Sequence, residues 1–256
     1  MMRKLILGVL ALLPMTVLAQ DGHCQHSQAR DLKLDLAGAK AVVFDIGPHE
    51  LEVVTGARSE VHGRACASDA RYLPELTLTQ HRVGDKLVVV AQRSQRSWFN
   101  FGGNHFAYLK LTATVPDNLM VQLNVGSGDA RATGVAALSA DVGSGDVKAQ
   151  RVRGLVTADV GSGDIVLDDI GALQVVSVGS GDLKASRVAR DAKVGDIGSG
   201  DVELRQVGGN VEVDDIGSGD LDVDGVRGNL RVRSVGSGSV GHRDIAGSVD
   251  VPKDDE

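Results

Sequence analysis

Aromatic side chains are scarce in this chain of 256 residues: one Trp, two Tyr and four Phe. Five of them fall between Trp98 and Tyr108, and none follows. The second half therefore cannot be built around large rings, which leaves a narrow interior of Val, Leu, Ile and Ala. Long apolar runs are also missing. The run Leu5 to Leu13 stops at Pro14, short of the roughly 20 residues a bilayer span needs. Arg3 and Lys4 precede it and Val17-Leu18-Ala19 follows, so residues 1–19 read as a secretory signal and the mature chain begins at Gln20. No later segment approaches the length of a membrane span.

Cysteine is limited to Cys24 and Cys66. The stretch His23-Cys24-Gln25-His26 does not supply a four-ligand metal set, and Cys24 lacks the neighbours of a lipoprotein cleavage site. In an oxidising compartment the pair reads as one disulfide that ties the mature N-terminus to the first domain. Excess positive charge is absent too. The formal charge is -7, and losing Arg3 and Lys4 with the signal takes it two further, to -9. Residues 20–125 balance acid and base, whereas residues 126–251 and the tail 252–256 are acidic. Such a surface repels nucleic acid and anionic lipid and is compatible with divalent cations.

No stretch after the signal shows a helical period. Residues 31–91 alternate apolar and polar at period two: Leu32, Leu34 and Leu36, then Val42, Phe44 and Ile46, then Leu51 and Val53, with Gly, Pro and Asp turns between. These are short strands. Residues 92–105 break the alternation, and Phe106 to Val115 resumes it.

The dominant feature is a phrase, Gly-Ser-Gly-Asp, starting at Gly126, Gly143, Gly161, Gly179, Gly198 and Gly217, with Gly-Ser-Gly-Ser at Gly236. The spacings run 17, 18, 18, 19, 19 and 19. Self-similarity at such a period marks stacked units that bury their apolar faces against one another. Each unit holds two half-repeats, apolar at i, i+2 and i+5, as in Val202, Leu204, Val207 and Val211, Val213, Ile216. A strand shows one face at i and i+2; the step of three fits a bend before a corner. The expected fold is all-β: a parallel β-solenoid of about seven coils of 17–19 residues over 126–251, preceded by short N-terminal strands in 20–125. An antiparallel meander would also align equivalent residues but does not need a step of three in every half. The phrase glycines are expected to take positive φ, the Asp to accept an N–H within its own turn, and the Ser residues to stack.

The repeated phrase, the lead-in Thr112-Ala113-Thr114-Val115-Pro116-Asp117-Asn118-Leu119 and the secretory start resemble bacterial families that carry the working label of adhesin, including relatives labelled auto-transporter adhesin head domains. The resemblance covers about residues 40–251. It implies a parallel β-helix in the cell envelope, periplasmic or at the surface, and supplies no catalytic residues.

Two features could carry function. Asp129, Asp146, Asp164, Asp182, Asp201 and Asp220 would form a carboxylate column, with neighbours about 5 Å apart repelling by about 1 kcal/mol even in water. Turn hydrogen bonds or bound calcium would offset this; recurrence in every coil points to a structural turn, and no other cofactor is implied. Polysaccharide-cleaving β-helices need clustered carboxylates, yet no single coil stands out, and the adjacent pairs Asp168-Asp169 and Asp214-Asp215 should point to opposite faces. The other feature is the aromatic stretch with Trp98, Phe99, Phe101, Phe106 and Tyr108. It reads either as a cap over one end of the rod or as a contact surface for a protein or envelope glycan. At the far end, Ser239, the Gly241-His242 break, Pro252 and the charged tail read as stop signals.

Overall fold

The computed structural model describes residues 24–94 and 105–252. The first strands are β1 (His26–Ala29), β2 (Leu32–Lys33), β3 (Ala41–Gly47), β4 (Glu50–Thr55) and β5 (Glu60–Ala67). A 3-10 turn, Ala70–Glu75, leads to β6 (Leu76–Val83), β7 (Lys86–Arg93), β8 (Ala107–Val115) and β9 (Met120–Val125). The repeats supply β10 (Asp129–Thr133), β11 (Ala137–Val142), β12 (Asp146–Val160), β13 (Asp164–Val178), β14 (Leu183–Val188), β15 (Ala192–Ile197), β16 (Val202–Val207), β17 (Val211–Ile216), β18 (Asp220–Val226), β19 (Leu230–Val235), β20 (Ser239–Ile245) and β21 (Val249–Asp250).

Every pairing within the repeats is parallel and joins residues one period apart, so the phrases are corners of a coil and not hairpin turns. The chain is a β-solenoid of about 7 turns with N-terminal strands. First half-repeats stack along one face and second half-repeats along the other; β12 and β13 run through both. Val147, Ile165, Leu183, Val202 and Leu221 form one inward ladder, and Val156, Leu173, Ala192, Val211 and Leu230 another, all buried. Each buried Val, Leu or Ile stabilises by about 1.5–3 kcal/mol.

The step of three has a local cause. In each first half-repeat one residue turns into the left-handed region: Gly134, Arg151, Asp169, Arg187, Gln206, Gly225 and Asp244, with φ between 54° and 78°. That residue leaves the ladder and lets the following Val or Ile point inward. In the first halves two residues therefore face out between inward neighbours, and Asp168-Asp169 lies on one outer surface rather than two; Asp214-Asp215, in a second half with no left-handed residue, is likewise exposed on one surface. The lengthening period is legible in the second halves. Leu138, Ala140 and Val142 step by two throughout, whereas Ala192, Val194 and Ile197 include the extra residue.

The phrase glycines differ from expectation. None is in the left-handed region. They are needed because coils touch backbone to backbone. A Cβ on Gly143, Gly161, Gly179, Gly198, Gly217 or Gly236 would lie 2.6 to 2.8 Å from the carbonyl oxygen of the equivalent glycine one coil back. On Gly145, Gly163, Gly181, Gly200, Gly219 and Gly238 it would overlap that oxygen outright.

Residues before the phrases belong to the same rod, but out of chain order. The β3–β4 coil lies between the β7–β8 coil and the β9–β10 coil, all in parallel pairing. Gly47 stands where a phrase would: its carbonyl accepts the N–H groups of Gly126, Ser127 and Gly128 at 3.0, 3.1 and 3.0 Å. The aromatic stretch belongs to the connection between β7 and β8. Antiparallel β5, β6, β1 and β2 then flank the first coils. Leu34, Tyr72 and Leu76 are buried there, and Arg30 donates to the carbonyls of Leu76 and Leu73, both at 2.8 Å. The Cys24–Cys66 disulfide, with Cα atoms 5.4 Å apart, fastens β1 to β5. The far end continues further than its sequence suggests. Gly241 and His242 stay in β20, and His242 takes the inward register of Val223.

Two glycine substitutions separate the two uses of glycine. Ala at Gly219 meets the Gly200 carbonyl and should cost more than about 3 kcal/mol. Ala at Gly225 has no atom closer than 3.7 Å and must only hold a left-handed φ, at about 1 kcal/mol. Urea unfolding midpoints of the two variants check this.

Candidate functional surface

The glycine corner is an interlocked backbone column. The first glycine's carbonyl in each coil accepts two N–H groups from the next: Gly198 O takes Ser218 N at 2.7 Å and Gly219 N at 3.0 Å, and the pattern repeats along the rod. The Asp carboxylates act between coils rather than inside one turn. Asp164, Asp182 and Asp201 each accept the N–H of the next Asp at 3.0, 3.1 and 3.0 Å, and Asp220 accepts both N–H and hydroxyl of Ser239 at 3.0 and 2.7 Å. These charge-assisted bonds tie each coil to the next, which offsets the repulsion down the column. Earlier in the rod the N–H groups of Asp146 and Asp164 bond the backbone carbonyls of Gly128 and Gly145 instead, both at 3.3 Å. The serines of the phrases expose their side chains at the corner tip.

A second carboxylate column, not singled out from the sequence, precedes the glycines. Asp45, Asn124, Asp141 and Asp159 pair in register, and so do Ser177, Asp196, Asp215 and Ser234. Ser177 bridges the set through a 2.6 Å hydrogen bond to Asp159. Only Val or Ile and Gly-Ser-Gly separate the columns within a coil, so this edge of the rod is a ridge carrying acid without base. Among the described residues no group of three or more His, Cys, Asp or Glu is placed to hold a metal ion.

The opposite corner has its own side-chain ladder. Asn210 donates its backbone N–H to Asp191 Oδ1 at 2.7 Å, Asn229 to Asn210 Oδ1 at 2.9 Å, and Ser248 to Asn229 Oδ1 at 2.8 Å. The sequence signal was present, an Asp, Asn, Asn, Ser series at a spacing of 19. Beside this corner the left-handed residues edge a groove of about 720 Å³, floored by Val188, Val207 and Val226 and lined by Arg187, Gln206 and Arg227, with Asp169 and Asp244 at its ends.

His49 is the other residue that sequence reading missed. It follows Gly47-Pro48 at the corner, is fully buried, and accepts the Leu109 N–H on Nδ1 at 3.2 Å. Burial first, and the positive Arg93 second, lower its pKa from 6.5 to about 4. Of the aromatic candidates, Trp98, Phe99 and Phe101 lie outside the described residues. Phe106 and Tyr108 are half-buried, with rings 6.1 Å apart, and Phe106 donates its N–H to Ser68 Oγ at 3.2 Å. Tyr72 packs close by, with His105 edge-on at 5.8 Å and the guanidinium of Arg93 at 5.7 Å.

Corner stacking, two faces of parallel strands and an outer surface repeated coil by coil are the attributes of a repeat scaffold. The chain belongs to the Toastrack DUF4097 family, whose signature matches residues 40–240. No curated protein matches it. Solved structures are similar to it at low identity. One, from Parabacteroides distasonis and with the working name of a lipid binding protein, is 17% identical over 90% of this chain and 98% of its own, at a TM-score of 0.49. Two with the working name of adhesin follow. That of Parabacteroides merdae is 14% identical over 89% and 97%, TM-score 0.47; that of Bacteroides fragilis is 14% identical over 89% and 98%, TM-score 0.41.

His49 makes the rod acid-sensitive. The folded chain resists a proton that the unfolded chain binds below about pH 6.5, so stability is full above 6.5 and falls as pH drops toward 4. The loss totals on the order of 3 kcal/mol. Unfolding midpoints from pH 7 to 4 should show this slope, and His49→Gln should flatten it.

Proposed function

We propose that this chain is an exported, non-enzymatic protein of the cell envelope whose rod serves as an interaction or scaffold module, adhesive when displayed. The observation that carries this reading is the outer surface. Exposed side chains recur in register along both faces and both corners, giving extended rows suited to a long partner, a protein or an envelope glycan. Residues 1–19 act as the signal that exports it. The non-repeating stretch Trp98 to Tyr108 is the leading recognition element. The neighbouring end of the rod is already covered by Leu34, the 3-10 turn and β6, which supports contact over capping for Trp98, Phe99 and Phe101.

Fractionation with protease treatment of intact cells tests the reading. The mature chain should begin at Gln20 and leave the cytoplasm; accumulation there with Met1 retained would contradict it. Trp98→Ala should leave the melting midpoint within about 2 °C, since surface changes are usually within about 0.5 kcal/mol, while reducing retention on envelopes. A midpoint loss of many degrees would restore the cap reading.

Calcium binding is the second reading. Against it stands the use of the Asp carboxylates as acceptors for the next coil. Millimolar calcium should not move the thermal midpoint; a rise that Asp201→Asn abolishes would establish a calcium-stabilised module.

A further inference from the structure

One coil of the rod is not placed by its order in the chain. The arc 41–55, β3 and β4 joined through Gly47-Pro48-His49, lies between strands that all follow it in sequence. β3 pairs with β7 on one side and β9 on the other, and β4 pairs with β8 and β10. Val42, Phe44, Ile46, Leu51 and Val53 are buried there. At the tip the His49 carbonyl accepts the Asp129 N–H at 3.2 Å, and the His49 ring accepts the Leu109 N–H at 3.2 Å, so the arc bonds both neighbouring coils. Those two coils are joined to each other by residues 116–119, which run from β8 to β9 past the arc. The arc therefore fills a slot whose walls belong to a later part of the chain.

The flanks of the arc have the same character. β1 and β2, which precede it, pair with β5, which follows it. β8 lies between β4 and β5, so residues 56–59 cross β8 to connect them, and Gly56, Ala57 and Arg58 are exposed on that crossing. Residues 24–55 thus meet the rest of the molecule through a slot and a β5 strand that a second copy offers unchanged. Apart from the backbone itself, one covalent bond assigns them to their own chain: the Cys24–Cys66 disulfide, which links the strand before the arc to the strand after it.

We propose that residues 24–55 exchange between two copies of this chain during folding, with residues 56–59 as the hinge, and that the Cys24–Cys66 bond fixes whichever arrangement has formed. Chain order supports this. The arc precedes both walls of its slot, so it waits unpaired until they fold, and the slot of a neighbouring copy accepts it on the same contacts. Exchange of an identical element costs little because it recreates every native interaction, and it closes as a twofold dimer. Repeat proteins are prone to it. In the exchanged pair Cys24 of each copy meets Cys66 of the partner. Closing each bond takes two electrons and two protons from the two thiols and passes them to a disulfide oxidant, which leaves as two thiols. Within one chain the closed bond makes withdrawal of the arc rarer by roughly a thousandfold, so oxidised monomer and oxidised dimer do not interconvert. The inference rests on topology and not on the envelope reading.

Refolding of the mature chain tests this. Equal amounts of unlabelled and isotope-labelled chain are mixed in urea with dithiothreitol, refolded, and then oxidised with glutathione disulfide. Non-reducing gels should show mostly monomer after refolding at about 1 μM and a disulfide-linked dimer after refolding at about 100 μM, as mass action requires. Mass spectrometry of the isolated dimer should find Cys24 of one isotope joined to Cys66 of the other in about half of the links, the share that random pairing into twofold dimers gives. Chains oxidised before mixing should give no mixed links. Cys24→Ser/Cys66→Ser refolded at the higher concentration should sediment as a dimer that reverts to monomer after dilution, and circular dichroism of dimer and monomer should coincide. Monomer alone at both concentrations, dimers linked Cys24 to Cys24 or Cys66 to Cys66, or a monomeric double-serine variant would each overturn the proposal.

Discussion

The structure depends on one contact: a glycine carbonyl in each coil accepting two N–H groups from the coil above, with no room for a methyl group between them. That contact fixes the distance between coils at the corner, and with it the register of every ladder that follows. Once the corners are locked, the inward Val, Leu, Ile and Ala stack on equivalents of similar width, and the parallel strands form without adjustment. The absence of aromatic residues after Tyr108 belongs to the same constraint, because a ring would force apart coils held at strand spacing.

Locking like residues above like also stacks like charges, and the rod answers this in several ways. The Asp column accepts N–H groups from the next coil. The second column is broken by Asn124, Ser177 and Ser234. At the opposite corner the series passes from Asp191 to Asn210, Asn229 and Ser248, where neutral amides and hydroxyls continue the ladder without charge. Repetition therefore explains both the inward ladders and the neutral residues that interrupt the charged columns.

Much of this was legible in the sequence. The parallel coil followed from the period and from the step of three, and the disulfide from the count of cysteines. The physical role of the glycines was not legible. A tight turn and a close approach both call for Gly, and only the stacked neighbour distinguishes them. The left-handed positions were hidden because Arg151, Asp169, Arg187, Gln206 and Asp244 occupy them in place of Gly. Placement of the β3–β4 coil between β7–β8 and β9–β10 was equally hidden, since local alternation carries no information on the order of stacking. His49 gave no signal because a single corner histidine in sequence looks exposed. The function is less legible than the fold for the reason that makes the fold plain: a motif required in every coil marks architecture, so recognition must be sought in what does not repeat and in the surfaces that repetition creates.

The central claim is that Gly-Ser-Gly-Asp is an interlock between coils. Amide hydrogen exchange of the corner N–H groups measures it most directly. The amides of Ser144, Ser162, Ser180, Ser199 and Ser218 sit at exposed tips, yet each bonds the coil before it at 2.7 or 2.8 Å. The account requires protection equal to that of core strand amides such as Val194 and Val213, opening only with global unfolding. Exchange at rates typical of exposed turns, with the strands still protected, would contradict it.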